Sequence, residues 1–170
     1  MNDPTPTRKR KWEYIPAAKT KWNDPKSRPS IWVQHPANGT NVFGTLPPII
    51  HAGRTVFSGG EIVLKYGKHV GNEHQSKGFY GFLHIWARRF SWIDKHEDAM
   101  TAVCNFVAGI VRPGSEIYWD VDDRVAIFSN INGEVIVEEK NPDGGPLHYS
   151  IVTAIGHPVK AKGSRMGALA

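Results

Sequence analysis

Hydrophobic and polar positions change rhythm twice along this 170-residue chain. From Met1 to about Pro48 they keep no sustained period of 3.6 or 2, and Pro, Asn, Gly, Lys and Thr dominate. A stretch without a face to bury reads as an extended arm, in which only "SIWVQ" (Ser30 to Gln34) resembles a short strand. Ser58-Gly59-Gly60 then punctuates, and "EIVLKYG" is a candidate strand ending at Gly67.

Residues 78–90 move to steps of three and four, so that Phe79, Leu83, Trp86 and Phe90 share one stripe and predict a helix. Gly78 and Gly81 are poor helix formers, which puts its firm start near Gly81. In "DKHEDAMTAVCNFVAGIVRPG", Asp94 followed by Glu97 has the form of an N-cap with its returning acid. Ala99, Met100, Val103, Phe106, Val107, Ile110 and Val111 give a wide buried face, and Pro113-Gly114 stops this second helix.

After Gly114 the period falls to two. "EIYWDV", "RVAIFSN", "GEVIVEEK" and "LHYSIVTAI" read as four strands, with a hairpin signal at Asn132-Gly133 and a longer turn at 141–146. Helices followed by a meander predict an α+β fold: two N-terminal helices packed on a four-stranded antiparallel β-meander, with an extended basic N-terminal arm. The expected division is an arm over 1–53, a folded domain over 54–158 and a basic flexible tail over 159–170.

Composition narrows the class. Hydrophobic residues make up 40% and charged residues 22%, ordinary for a soluble protein. No apolar run approaches the ~20 residues of a membrane-spanning helix. The basic N-terminus has no apolar stretch behind it and does not read as a secretory signal. A lone cysteine, Cys104, allows no internal disulfide and fits a reducing compartment; its apolar surroundings make it a small core filler. The expected location is the cytoplasm of a bacterial host, reached by synthesis there, by delivery or by packaging in a virion.

The net charge of +5 is unevenly placed: residues 1–53 carry eight Lys/Arg against three acids, 54–140 ten against twelve, and 141–170 three against one. Basic ends around a near-neutral middle suit a polyanion, because each cation on a phosphate releases counterions; they also suit plain solvated tails. Trp12, Trp22 and Trp32 recur among the arm's basic residues, where they could stack on bases, enter a partner's grooves or pin the arm to its own domain.

The chemistry concentrates in "GKHVGNEHQSKGFYGFLHIWARR" (67–89). His84 and Arg88 lie four apart, on one flank of the predicted first helix. Lys68, His69 and His74 occupy the loop that feeds it. Cleaving RNA without metal needs a base for the 2′-hydroxyl, an acid for the leaving 5′-oxygen and cations for the charge at phosphorus, and two histidines with Lys or Arg meet that need. The same residues also have plainer readings: a hydrogen-bonded structural His84, an Arg88 paired with an acid, idle loop histidines. A zinc site from His69, His74 and His84 lacks supporting spacing, and no metal or cofactor is expected. His35, His51, His96 and His157 are scattered and take no role.

The order "LKYGKHVGN…GFYGFLHIWARR", a second apolar helix, a meander and a final "HYSIVTAIGHP" resembles the barnase–EndoU–colicin D/E5–RelE superfamily of small ribonucleases, above all its phage and polymorphic-toxin branches. The resemblance covers about residues 60–157. It implies a metal-independent endoribonuclease leaving a 2′,3′-cyclic phosphate and a 5′-hydroxyl, with His84 and His69 in the active site and Arg88 and Lys68 as phosphate cations. Thr153, with Tyr149 or Ser150, would line the cleft from the last strand. Nucleic-acid contacts are expected at His74, Lys77, Arg89, Tyr149 and Ser150, and at Arg8, Lys9, Arg10, Lys11 and Trp12 of the arm. Many relatives carry a further histidine one turn after the helix histidine; Arg88-Arg89 stands there, which shifts proton transfer onto His69, His74 or His148.

The implied partners are RNA (tRNA or rRNA), an acidic immunity or antitoxin protein, and a large particle met by the arm. The rival reading is a non-catalytic nucleic-acid-binding or virion-assembly protein that keeps the fold. Catalysis requires the His84 imidazole to be reachable from solvent and to face the last strand.

Overall fold

The computed structural model describes residues 31–69, 79–119, 125–156 and 163–170. Ile62, Val63 and Leu64 are buried in succession, as a strand covered on both faces requires. The first two of them close the last of four short strands: β1 (Gly44–Leu46), β2 (Ile49–His51), β3 (Arg54–Phe57) and β4 (Gly60–Val63). Helices α1 (Gly81–Arg89) and α2 (His96–Ile110) follow. Then come β5 (Glu116–Trp119), β6 (Val125–Asn130), β7 (Gly133–Lys140), β8 (His148–Ile155) and β9 (Ser164–Ala168).

Seven strands form one sheet in the order β1-β4-β8-β7-β6-β5-β9, and β2 pairs only with β3. Every pairing is antiparallel except that of β4 with β8, which sets Glu61 opposite His148 and Val63 opposite Ser150. Parallel neighbours cannot be joined by a hairpin, so the chain between them makes a long excursion that includes both helices. Helix α1 packs on β8 and α2, while α2 packs on β6 and β7. Trp86, Phe82, Ile85, Ile110, Phe128 and Tyr149 fill the core between, each fully buried. Burying a side chain of that kind contributes roughly 1.5–3 kcal/mol.

This architecture corrects the expected one. The helices do not precede the sheet, which is not a four-stranded antiparallel meander but a mixed, curled seven-stranded sheet whose C-terminal part forms a half-barrel. Strands β1 to β3 are three or four residues long, too short for a period of two to register, and Pro47-Pro48 separates β1 from β2. Nor does the extended arm reach residue 53: Val33 and Phe43 are buried, and the Val33 N–H donates to the Leu64 carbonyl at 2.7 Å. Residues 164–168, expected in a flexible tail, form edge strand β9 on β5, and Leu169 behind it is buried. No residue of β9 is fully buried, as befits an edge, so its apolar content does not announce it.

The predicted start of α1 at Gly81 coincides with the observed one. For α2 the expected N-cap is off by one residue, since Lys95 holds that position without a side-chain cap bond. Helix α1 also lacks a side-chain cap. Its first amides find carbonyls of the segment after β4 instead: Phe82 N–H donates to Lys65 at 2.9 Å and Leu83 N–H to Tyr66 at 3.0 Å. The approach is too close for a side chain at Gly81 (φ +80°), where a β-carbon would stand 2.5 Å from the Lys65 oxygen. That docking presents residues 65–69 to the flank of α1.

Strand β8 breaks its alternation once. Ile136 pairs with Thr153 but Val137 pairs with Ile151, so Val152 is the extra residue of a bulge. Ile151 and Ala154 are buried, whereas Val152 and Thr153 are both half-buried. A strict alternation would have kept Thr153 with Ile151; the bulge separates them.

Candidate active site

Two imidazoles meet where the segment after β4 crosses α1. His69 Nδ1 lies 3.1 Å from His84 Nδ1, with the rings inclined by 25° and their centroids 5.3 Å apart. Phe79 closes one side, its ring 4.5 Å from that of His69 and 6.1 Å from that of His84. The histidines are 6% and 8% exposed.

Burial decides their charge. It pushes the His69 pKa down to about 4, with the Arg88 guanidinium adding to the effect. His84 is likewise lowered to about 4, by burial first and then by His69, Arg88 and Arg89. Both rings are therefore neutral near pH 7. One proton lies between the two Nδ1 atoms, so one ring carries it and donates while the other accepts. The pair consequently holds opposite tautomers, one with its lone pair on Nε2 and the other with an Nε2–H.

Beside the pair opens a cleft of about 530 Å³, whose wall includes Lys65, Lys68, Phe79, Glu138, Lys140 and Ser150. Phe79 and the Lys68-His69 backbone connect the two features. Lys140 pairs with Glu138 on the same face of β7. Ser150 is 1% exposed, and its Oγ has no hydrogen-bond partner among the described residues.

The expected site residues thus fall into separate places. His69 and His84 are in contact, Arg88 lies close enough for its charge to act on both, and Lys68 and Ser150 share the cleft. Arg89 turns to β8, where its Nε–H donates to the Ala154 carbonyl at 3.1 Å, next to Thr153. Tyr149 does not offer itself to the cleft: it is fully buried, its hydroxyl donating to Glu139 at 3.1 Å and accepting from the Gly59 N–H at 3.2 Å. His148 belongs with the lysines Lys65 and Lys140, whose charges it feels, and its ring lies 5.2 Å from that of Trp32. Trp32 thereby rests on its own domain. His74, Lys77, Arg8, Lys9, Arg10, Lys11 and Trp12 lie outside the described residues.

Sequence reasoning missed Lys65, Lys140 and Glu138. A signal existed: "EIVLKYG" holds one cation after three buried apolar residues, and Glu138 and Lys140 are two apart on a strand, hence on one face. Cys104, expected as a core filler, is buried and its thiol is pushed up to about 12 by burial. Among the described residues no group of three or more His, Cys, Asp or Glu is placed to hold a metal ion, and no helix is long and apolar enough to cross a membrane. No known protein family, curated protein or solved structure matches the chain.

Proposed function

We propose that this domain is an endoribonuclease that cleaves RNA by attack of a 2′-oxygen on the adjacent phosphorus, leaving a 2′,3′-cyclic phosphate and a 5′-hydroxyl. The observation that carries the reading is the 3.1 Å contact between the Nδ1 atoms of His69 and His84, fifteen residues apart in the chain. Opposite tautomers supply the two functions the reaction needs. The Nε2 lone pair of one ring takes the 2′-hydroxyl proton, the shared Nδ1 proton crosses to the other ring, and that ring's Nε2–H goes to the departing 5′-oxygen. Each ring begins and ends neutral, with the tautomers exchanged. Arg88 and Lys68 stabilise the negative charge that builds on the phosphorane oxygens. The cationic cleft beside the pair suits an acidic inhibitor protein. The direct test is incubation of the purified chain with total RNA in EDTA: products ending in a cyclic phosphate are expected, and RNA left intact between pH 5 and 8 removes the proposal.

One observation favours a second reading. His84 is only 8% exposed, which falls short of the solvent access that catalysis requires and suits a structural imidazole better than a relay. On that reading the protein binds nucleic acid through its lysines without cutting it. Binding would then weaken steeply with salt and survive His84→Ala.

A further inference from the structure

The lysine cleft is chemically incomplete. Its wall carries three cations, Lys65, Lys68 and Lys140, against one carboxylate, Glu138, which is paired with Lys140. The Ser150 hydroxyl in the same wall is buried and unpartnered among the described residues, which leaves its donor unmet. Ammonium groups and a hydroxyl are all donors, so the missing partner is an anion with several acceptor oxygens. On the function proposed above, the anion at hand with several acceptor oxygens is an RNA backbone phosphate.

We infer that this cleft is a subsite for an RNA backbone phosphate next to the one being cleaved, held by Lys65, Lys140 and Ser150, with Glu138 as the resident counter-ion that the phosphate displaces. The identity of the ligand as RNA rests on the function proposed above, whereas the anion site does not. Glu138 lies within the field of Lys65 as well as bonding Lys140, so its carboxylate opposes the incoming charge at both lysines.

The test is titration of the ¹⁵N-labelled full chain with inorganic phosphate and, separately, with a 2′-O-methylated diuridine phosphate, which cannot be cleaved by 2′-oxygen attack. Saturable shifts at the Lys65, Lys140 and Ser150 amides are expected from both, with the dinucleotide binding at least threefold more tightly. Glu138→Gln should tighten phosphate binding about two- to fivefold, the range for removing one partly screened charge. Lys140→Met and Ser150→Ala should weaken it, with thermal melts confirming that each variant is folded. Shifts that never saturate, or a Glu138→Gln variant indistinguishable from the parent, overturn the anion site. Equal affinity for phosphate and dinucleotide overturns the nucleotide assignment. Neither probe is cut, so a chain that leaves RNA intact can still pass this test, and an active nuclease can fail it.

Discussion

Lys68 and Tyr80 exchange backbone hydrogen bonds in both directions, Lys68 N–H to the Tyr80 carbonyl at 3.0 Å and Tyr80 N–H to the Lys68 carbonyl at 3.2 Å. This bridge fixes the register of the whole site. His69 follows Lys68 by one residue and His84 follows Tyr80 by one helical turn, so pinning the first two brings the imidazoles together. Gly67 makes the approach feasible. It holds φ +76°, and a β-carbon there would stand 1.8 Å from the Tyr80 oxygen, inside any permissible contact.

Gly67→Ala should therefore break the bridge and destabilise the fold by about 2–4 kcal/mol, from overpacking plus the left-handed backbone. Gly144→Ala is the control. Its φ is +73° but nothing lies within 4 Å of the added carbon, so only the conformational cost of roughly 1–2 kcal/mol applies. Urea unfolding of both variants separates steric from conformational strain, and equal losses would count against the close approach.

The buried pair also sets a pH dependence. An unfolded histidine titrates near 6.5, while His69 and His84 in the fold are lowered to about 4. Between these values the unfolded chain binds more protons than the folded one, so stability rises with pH across the window. The contribution is complete above about pH 6.5 and is lost as pH falls toward 4. The ceiling is about 1.4 kcal/mol per pH unit for each ring that must stay neutral, and less for a pair that shares one proton. Unfolding free energies at pH 4.5, 5.5 and 6.5 should show this slope, and the double variant His69→Gln/His84→Asn should flatten it. An unchanged slope in the variant would mean that other groups govern the acid limb.

Much of the fold was legible where elements are long, and illegible where they are short. Helix α2 declares itself through Val103, Val107 and Ile110, and β6 and β7 through alternation about Asn132-Gly133, because each repeats its pattern over several turns or pleats. Strands β1 to β3 offer too few residues to show a period, and β9 is an edge with no fully buried side chain. The mixed sheet was unreadable for another reason: the parallel pairing of β4 with β8 joins residues almost ninety positions apart, and local periodicity carries no information on partners. At the site, residue types pointed to the imidazoles and cations. Their order hid that Gly67, read as the end of a strand, and Gly81, read as a poor helix former, face each other where two backbones touch.

The C-terminus of α2 is held by side chains from beyond its end, Asn130 of β6 foremost. Asn130 Nδ2 lies 3.0 Å from the Gly109 carbonyl, 3.1 Å from that of Ile110 and 2.9 Å from Ser115 Oγ, and Ser115 in turn donates to Ile110 at 2.6 Å. These bonds serve carbonyls that a helix end leaves unpaired. Asn130→Ala should cost about 0.5–1.5 kcal/mol, because Ser115 and Asn132 still serve the two carbonyls, and Asn130→Asp should cost more, because a carboxylate would confront the carbonyl oxygens. Urea unfolding at pH 7 checks the order, and an aspartate variant as stable as the parent would show that the network is dispensable.

Cleavage by a neutral relay predicts a pH profile unlike that of solvated histidines. An exposed acid–base pair gives a bell between about pH 6 and 7, because one imidazole must be protonated and the other not. Here both rings titrate at about 4 and work uncharged, so the rate should climb as pH passes about 4 and stay level through neutrality. Losing a ring removes the relay: His84→Ala should slow cleavage by ~10²-fold or more, provided its melting curve shows a folded chain. Single-turnover cleavage of a short oligoribonucleotide in EDTA from pH 4 to 8 decides the matter. A bell centred near 6.5 would show that the acting histidine is charged and solvated in one of its states, which a ring held against His69 and Phe79 at 8% exposure is not.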